Sequence, residues 1–259
     1  MISIFRKIRQ NSLMESKTEK SAAMPSAGKQ AGRYLKYALG EIVLVVIGIL
    51  IALQINNWNE ARKDRIYEIK MLSEISTSLK NDVAHFAEMI KTYDDLYETS
   101  DYFMELSKNN VVFHDSLLGK VFTLNNAINY QFNSGPYEAL KSSGIDKISN
   151  DNLRKDITNL FDFELPILGN NIAQITRNHD KNIESMLSIF GDRFIDDSKG
   201  QNFVGWADVP KDLFQSQGFL QILAGVSWRG RNAGRQLKLA LPKIEETIAK
   251  IDIEIDKKR

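Results

Sequence analysis

The chain has 259 residues, enough for one large domain or two modest ones. Its composition, with 43% hydrophobic and 26% charged residues and five prolines, excludes a chain that is disordered throughout. The 34 Lys and Arg residues nearly balance the 33 Asp and Glu residues, so no overall basic field favours nucleic acid as a partner. The absence of cysteine excludes disulfides, thiolate metal sites and cysteine nucleophiles.

An apolar run near the N-terminus predicts a transmembrane helix. The segment Ile42–Leu53 contains twelve residues without a polar side chain, and extending it to Leu35–Ile55 gives 21 residues. About 20 residues cross the hydrocarbon layer, so we assign 35–56 as a signal-anchor span and 1–34 as a basic, flexible cytoplasmic tail. The alternative is a buried helix of a soluble protein. The aromatic residues expected to anchor the span at its two interfaces are Tyr34, Tyr37 and Trp58.

The distribution of Lys and Arg predicts the orientation of this span. Eight cationic residues lie before the apolar run, whereas four lie within about 15 residues after it. The positive-inside rule therefore leaves the N-terminus in the cytoplasm of a bacterium and places 57–259 in the periplasm. No small-residue cleavage site follows the run, which favours an uncleaved anchor in the inner membrane.

One face of the span carries small and polar residues. Gly48 and Ala52 have the small-xxx-small spacing that lets two helices approach closely. Glu41 and Asn59 fall on the same face of a helix with 100° per residue. We interpret this face as a helix–helix contact, with a second copy or with another protein. An isolated span that carries small residues by chance is an equally weighted interpretation.

The rest of the chain reads as long helices. Apolar residues recur in steps of three and four from Ile66 to Tyr97, and no proline interrupts them, which predicts one helix from Leu35 to about Leu106. This helix would stand the following domain off the bilayer. The fold class predicted is all-α, with an N-terminal transmembrane helix that continues into a long stalk helix and an antiparallel, about four-helix, extracytoplasmic bundle.

The later helices are predicted with less regular boundaries. Asn150 is a suitable N-cap for a third long helix that reaches Phe190, and Pro166 should kink or divide it. No significant sheet is predicted, and a break of the last helix is expected near Ser227–Gly234 because of its glycines. The other predicted segments are a helix over 116–129, a short helix over 137–142, a loop over 191–211 and the last helix over 212–256.

A search for catalytic chemistry returns no motif. The trio Asp82, His85 and Glu88 follows helical spacing, but Val83 and Phe86 claim the inward face, so we expect the trio to be solvated. Phosphate-binding loops and HExxH zinc motifs are absent from the sequence. We therefore predict no catalytic residue, metal or cofactor.

A cluster on the last helix combines an aromatic residue with arginines. Arg side chains and an aromatic stack could hold an anionic group or a partner. The favoured alternative is a Trp packed under the helix break with the arginines outside. The residues of this possible anion or partner patch are Trp228, Arg229, Arg231 and Arg235.

Two stretches of sequence resemble a known family. The first joins Phe5–Arg9 to Arg33–Glu60, ending in Gln54-Ile-Asn-Asn-Trp58-Asn-Glu60, and the second is Tyr137–Arg154. Both look like an uncharacterised single-pass inner-membrane protein family of Bacteroidetes-type bacteria, a domain of unknown function. The resemblance covers about half of the chain. It implies topology and lineage but no catalytic residues.

We expect a non-enzymatic, membrane-anchored periplasmic module that acts as a scaffold or accessory subunit through protein–protein contacts. Its expected partners are the lipid bilayer and either a second copy of the chain or another membrane or periplasmic protein, with no nucleic acid. The alternative is a sensory module that binds a small ligand in the helical bundle and signals through a partner.

Overall fold

A computed structural model describes residues 27–126, 129–190, 193–196, 203–206 and 209–259, with the backbone alone for 27–34, 36, 193–196 and 203–206. Residues 1–26 of the predicted tail over 1–34 therefore lie outside the described residues. The chain divides into two compact units, 1–62 and 63–259.

The first helix, α1, spans Ala27–Lys108 without interruption. Its continuity and its end agree with the predicted helix from Leu35 to about Leu106, but it begins earlier, so 27–34 of the predicted flexible tail are helical. Every side chain from Tyr37 to Trp58 is exposed, so the apolar run does not belong to the core of this chain. Within the described residues, α1 contains the one segment long and apolar enough to cross a membrane, judged by length and composition.

In the second unit, α1 buries one face. Its eight most deeply buried apolar residues are spaced by three, four or seven, which places them on one side of a 3.6-residue helix. The stripe differs from the predicted one at its start, because Ile66 is 60% exposed. The buried residues are Leu72, Ile75, Leu79, Phe86, Met89, Tyr93, Leu96 and Phe103.

Six further helices follow α1 in the described part of the second unit. Helices α4, α5 and α6 all contact α7. Three 3₁₀ turns, Asp115–Leu117, Ile145–Lys147 and Leu213–Gln215, lie between helices. The helices are α2 (Leu118–Thr123), α3 (Gly135–Ser143), α4 (Asp151–Asn159), α5 (Leu165–Thr176), α6 (His179–Phe190) and α7 (Gln217–Lys258).

Helix α4 begins where its cap predicts. The side chain of Asn150 accepts a hydrogen bond from the backbone N–H of Leu153 at 3.2 Å, which satisfies one of the free donors of the first turn. The predicted helix over 116–129 is shorter than expected, since α2 ends at Thr123. Beyond it, the backbone turns at Leu124–Asn125.

The predicted division at Pro166 takes the form of a π-helical turn, Leu160–Glu164, between α4 and α5. The N–H of Leu165 bonds to the carbonyl of Leu160, five residues back. Pro166 has no N–H and its ring collides with the carbonyl of the preceding turn, so a wider turn accommodates it near the start of α5.

A small hairpin interrupts the predicted loop over 191–211. Strands β1 (Arg193–Asp196) and β2 (Phe203–Trp206) pair antiparallel, with Arg193 opposite Trp206 and Asp196 opposite Phe203. Neither strand, with the sequences RFID and FVGW, alternates between polar and apolar residues, which is why this segment reads as loop. The rest of the described secondary structure is helical, as predicted.

The expected break in the last helix is wrong, because α7 is continuous from Gln217 to Lys258. It runs antiparallel to α1: Lys238 pairs with Asp94 at 2.8 Å, and Asp252 pairs with Lys80 at 2.8 Å. Gly230 lies against α1, where an added Cβ would stand 2.6 Å from the carbonyl oxygen of Tyr93. Gly230, which reads as a helix breaker in the sequence, therefore serves the close approach of two backbones.

Replacing Gly230 with alanine should destabilise the protein. The added methyl group would overlap the carbonyl oxygen of Tyr93 and the backbone nitrogen of Tyr97, which cannot turn away as a side chain would. We expect Gly230→Ala to lower the free energy of unfolding by about 1–3 kcal/mol. The measurement is urea unfolding of the full chain in mild detergent, followed by circular dichroism.

Gly218→Ala is the matched control for this prediction. A Cβ there would meet Ile189 Cδ1 at 3.5 Å, an ordinary contact, in the first turn of the same helix. It should be neutral or stabilise by about 0.5–1 kcal/mol. Equal unfolding midpoints for the two variants would contradict the close approach at Gly230.

Candidate functional site

The patch predicted on α7 divides between the surface and the interior. Trp228 is 56% exposed, whereas Arg229 is only 3% exposed, the reverse of the favoured expectation. Because α7 does not break, its helical register continues through this region. Arg229 then falls in the buried row between Val226 and Ala233, and Trp228 turns to the outside.

The outward part of the patch consists of Trp228, Arg231 and Arg235. Arg231 donates a hydrogen bond from Nη2 to the hydroxyl of Tyr97 at 2.8 Å, and its guanidinium lies 4.9 Å from the centre of that ring. This cation–π contact fixes Arg231 against α1. Arg235 is exposed, and no ion pair is recorded for it among the described residues.

The inward part is a guanidinium held by neutral groups. Arg229 Nη1 donates to Nδ1 of His179, and Nη2 donates to the carbonyl oxygens of Leu124 at 3.2 Å and Asn126 at 3.5 Å. Within the part of the chain that the structure describes, no carboxylate forms an ion pair with Arg229. A buried charge without a counter-charge costs several kcal/mol, on the order of a large fraction of a domain's stability.

The contact with Arg229 fixes the protonation of His179. A guanidinium can only donate, so Nδ1 of the imidazole accepts and the ring proton sits on Nε2. Burial, and then the charge of Arg229, lowers the pKa of His179, while Asp180 acts in the opposite direction. His179 is therefore neutral at pH 7 and contributes no charge to offset or reinforce that of Arg229.

Several buried polar atoms of Arg229 and of two further residues have no hydrogen-bond partner among the described residues. They are the hydroxyl of Tyr93, both side-chain polar atoms of Asn125, and Nε of Arg229 itself. Asn125 lies between the two residues whose carbonyls accept from Arg229, and Arg229 is close enough to Tyr93 to influence its pKa, which burial raises. We name Tyr93, Asn125, His179 and Arg229 the Arg229 cluster.

A second buried polar network in the same unit is fully paired. Glu68, 4% exposed, accepts from the backbone N–H of Ser149 at 2.9 Å and pairs with Lys258 at 3.1 Å. Lys258 also pairs with Glu254 at 3.3 Å, and Asn150 donates to Glu254 at 2.8 Å. Its groups satisfy one another, so it ties α1, the start of α4 and the end of α7 together.

The trio that includes Asp82 departs from expectation. Asp82 is 6% exposed and accepts from the backbone N–H of Asn133 at 3.1 and 3.2 Å, whereas His85 is half-buried and Glu88 is exposed. Burial raises the pKa of Asp82. Its carboxylate holds the segment before α3 and is not solvated. Across the described residues, no group of three or more potential metal-binding side chains occurs.

The residues predicted on the membrane face form no hydrogen bond or ion pair between side chains among the described residues. Glu41, Gly48 and Ala52 are exposed and Asn59 is half-buried. A Cβ added to Gly48 would meet nothing within 4 Å, so bulk can be added there without a clash inside the chain. Of the predicted interface anchors, Tyr37 and Trp58 are exposed, and the side chain of Tyr34 lies outside the described residues.

Comparison with known proteins gives a family and no activity. Residues 41–194, more than half of the chain, match the model of a family of unknown function, DUF6090. The chain belongs to this family. The match begins at Glu41 and ends within β1, so it includes three members of the Arg229 cluster but not Arg229. No curated protein and no solved structure matches the chain.

The depressed pKa of His179 predicts acid-sensitive stability. Below about pH 6.5, the ordinary pKa of histidine, His179 binds a proton in the unfolded chain but not in the folded chain, where its pKa is lower. The contribution of neutral His179 is therefore complete above pH 6.5 and is lost as the pH falls toward the lower folded pKa. We expect the thermal midpoint of the full chain in detergent to fall between pH 7 and pH 5.

His179→Gln should flatten this pH dependence, because a glutamine oxygen accepts from Arg229 without titrating. His85→Gln, which changes a half-buried histidine away from Arg229, serves as the control and should retain the parental profile. A profile altered equally by both substitutions would refute the assignment to His179.

Proposed function

We propose that the protein is a membrane-anchored helical module that works as a non-enzymatic scaffold or accessory subunit. In this proposal 35–56 is a single span in the inner membrane of a Bacteroidetes-type bacterium, and 57–259 is a periplasmic helical bundle. The observation that carries it is the complete exposure of the apolar run in a chain whose second unit has its own core. Family membership adds no activity to this proposal.

The exposed run has the physical properties of a lipid-facing helix. A helix satisfies its backbone hydrogen bonds internally, so it can enter hydrocarbon, whereas irregular loops and open sheet edges cannot. Tyr37 and Trp58 are exposed at opposite ends of the run, which suits rings that partition to the headgroup layers. In water the same surface would expose a contiguous apolar patch, a strong driving force for association.

The orientation is supported by the excess of Lys and Arg before the run. A direct test uses the absence of cysteine in the native chain, because a single introduced thiol then reports its own location. We expect Asp256→Cys, at an exposed position near the end of α7, to react with a membrane-impermeant maleimide in spheroplasts. Ser21→Cys should react only after the membrane is lysed.

The reverse labelling pattern would place the second unit in the cytoplasm. Reaction of both thiols in intact spheroplasts, with a cytoplasmic marker protein unlabelled, would exclude a single span. The first result would overturn the periplasmic assignment, and the second would overturn the single span and the cytoplasmic tail. In either case the scaffold interpretation would rest on the contacts of the span alone.

The face with Gly48 and Ala52 is the proposed site of helix association. Leucine at both positions would block close approach between helices without a clash inside the chain. We expect Gly48→Leu with Ala52→Leu to shift the native mass, measured after gentle-detergent extraction from membranes, from an oligomer or a stoichiometric complex to the monomer. Val46→Leu with Leu50→Phe adds bulk to the opposite face and should leave the mass unchanged.

The same measurement separates the two interpretations of function. A stoichiometric protein partner, lost in the double variant, supports the scaffold. A homo-oligomer that retains additional small-molecule mass supports the alternative, a sensory module that signals through a partner. The Arg229 cluster supports this alternative. Among the described residues it is a buried polar site whose hydrogen-bond donors lack acceptors. A monomer without adducts in the parent chain would count against both.

A further inference from the structure

The Arg229 cluster has more hydrogen-bond donors than acceptors. Among the described residues, three contacts use the two Nη atoms of Arg229, which leaves Nε–H without an acceptor. The hydroxyl of Tyr93 and the side-chain nitrogen of Asn125 add further donors that no described group accepts, and Oδ1 of Asn125 is an acceptor without a described donor. Each buried donor without an acceptor costs about 1–3 kcal/mol. A bound group that accepts these hydrogen bonds would therefore stabilise the fold.

Among the described side chains, no negative charge forms an ion pair with the guanidinium of Arg229. His179 is neutral, and the other contacts of Arg229 are two backbone carbonyls. Residues 127 and 128, which follow this segment and lie outside the described residues, are alanine and isoleucine and bring no charge. Glu68, Glu254 and Lys258 are paired with one another, whereas the buried carboxylate of Asp82 is held by the backbone N–H of Asn133.

The enclosure of the cluster limits what can enter it. The unpartnered atoms of Tyr93, Asn125 and Arg229 have essentially no solvent-exposed area. A group that meets them must therefore be small, and it must accept hydrogen bonds from several directions. Water meets the geometric requirement but leaves the charge unbalanced, whereas a small anion satisfies both.

We propose that the Arg229 cluster binds one small monovalent anion, of the size of chloride or of a single carboxylate group, inside the second unit. The anion accepts from Nε of Arg229, from the hydroxyl of Tyr93 and from the amide of Asn125, and it balances the charge of the guanidinium. This inference goes beyond the scaffold function and does not depend on the orientation of the span. It gives the alternative sensory function its class of ligand.

The test is the thermal midpoint of the full chain in detergent, measured in sodium chloride, sodium formate and sodium gluconate at equal ionic strength. A ligand bound only by the folded state raises the midpoint with its concentration. We expect the parent chain to melt about 3 °C higher or more in chloride or formate than in gluconate. Chloride alone identifies a monatomic ligand, and formate alone identifies a carboxylate.

Three variants assign the effect to the cluster. Arg229→Met should abolish the difference between salts, whereas Arg235→Met removes the same charge from the exposed side of the same helix and should preserve it. Tyr93→Phe keeps Arg229 and removes only the buried hydroxyl, so it should raise the anion concentration needed for half of the effect about tenfold. It keeps the proposal testable if Arg229→Met does not fold.

Chloride-35 line broadening supplies a readout that does not depend on stability. Broadening by the parent chain and by Arg235→Met, but not by Tyr93→Phe at the same concentration, would support a chloride site. Equal midpoints of the parent chain in all three salts would show that water satisfies the cluster and would overturn the proposal. A salt effect of equal size in every variant would likewise overturn it, because it would arise elsewhere on the protein.

Discussion

The organisation of the second unit depends on how closely α7 approaches α1. At Gly230 the two backbones leave no room for a methyl group, since an added Cβ would stand 2.6 Å from the carbonyl oxygen of Tyr93. This contact fixes the rotation of α7 about its axis, and with it the placement of the neighbouring side chains. Arg229 turns inward toward Tyr93 and His179, and Trp228 turns outward. An interior charge and an exposed aromatic ring follow from one packing constraint.

The two buried polar networks of the unit stabilise their charges in different ways. The network of Glu68, Glu254 and Lys258 places opposite charges in contact, and hydrogen bonding to Asn150 lowers the pKa of Glu254. At Arg229 the described partners are an imidazole and two carbonyls, which share the charge without cancelling it. Replacing a buried pair often changes stability little, whereas an unpaired charge is costly. The first network is accounted for by folding alone, and the second is not.

Features that depend on local spacing could be predicted from the sequence. The length of α1, the cap at Asn150 and the division near Pro166 all follow from residues within a few positions of one another. Features that depend on a distant segment could not. Gly230 reads as a breaker until Tyr93 is placed beside it, and Asp82 reads as solvated until its contact with Asn133 is known. Arg229 reads as a surface residue because a break near Ser227–Gly234 would end the helical register that places it on the buried side of α7.

The family model matches the apolar run of this chain but not its last helix. The matched segment, 41–194, contains the apolar run and the elements up to α6, but it ends before α7. Yet α7 packs on the buried face of α1: Gly230 lies against Tyr93, and the ring of Phe219 lies 6.1 Å from that of Phe103. Without α7, the part of that face that holds Tyr93 and Phe103 would lose this cover, at a cost of about 25 cal/mol per Å² of apolar surface exposed to water. The segment that defines the family is therefore not a complete core in this chain. Any activity assigned to the family on that segment alone would omit the helix that closes the unit and supplies the buried guanidinium of Arg229.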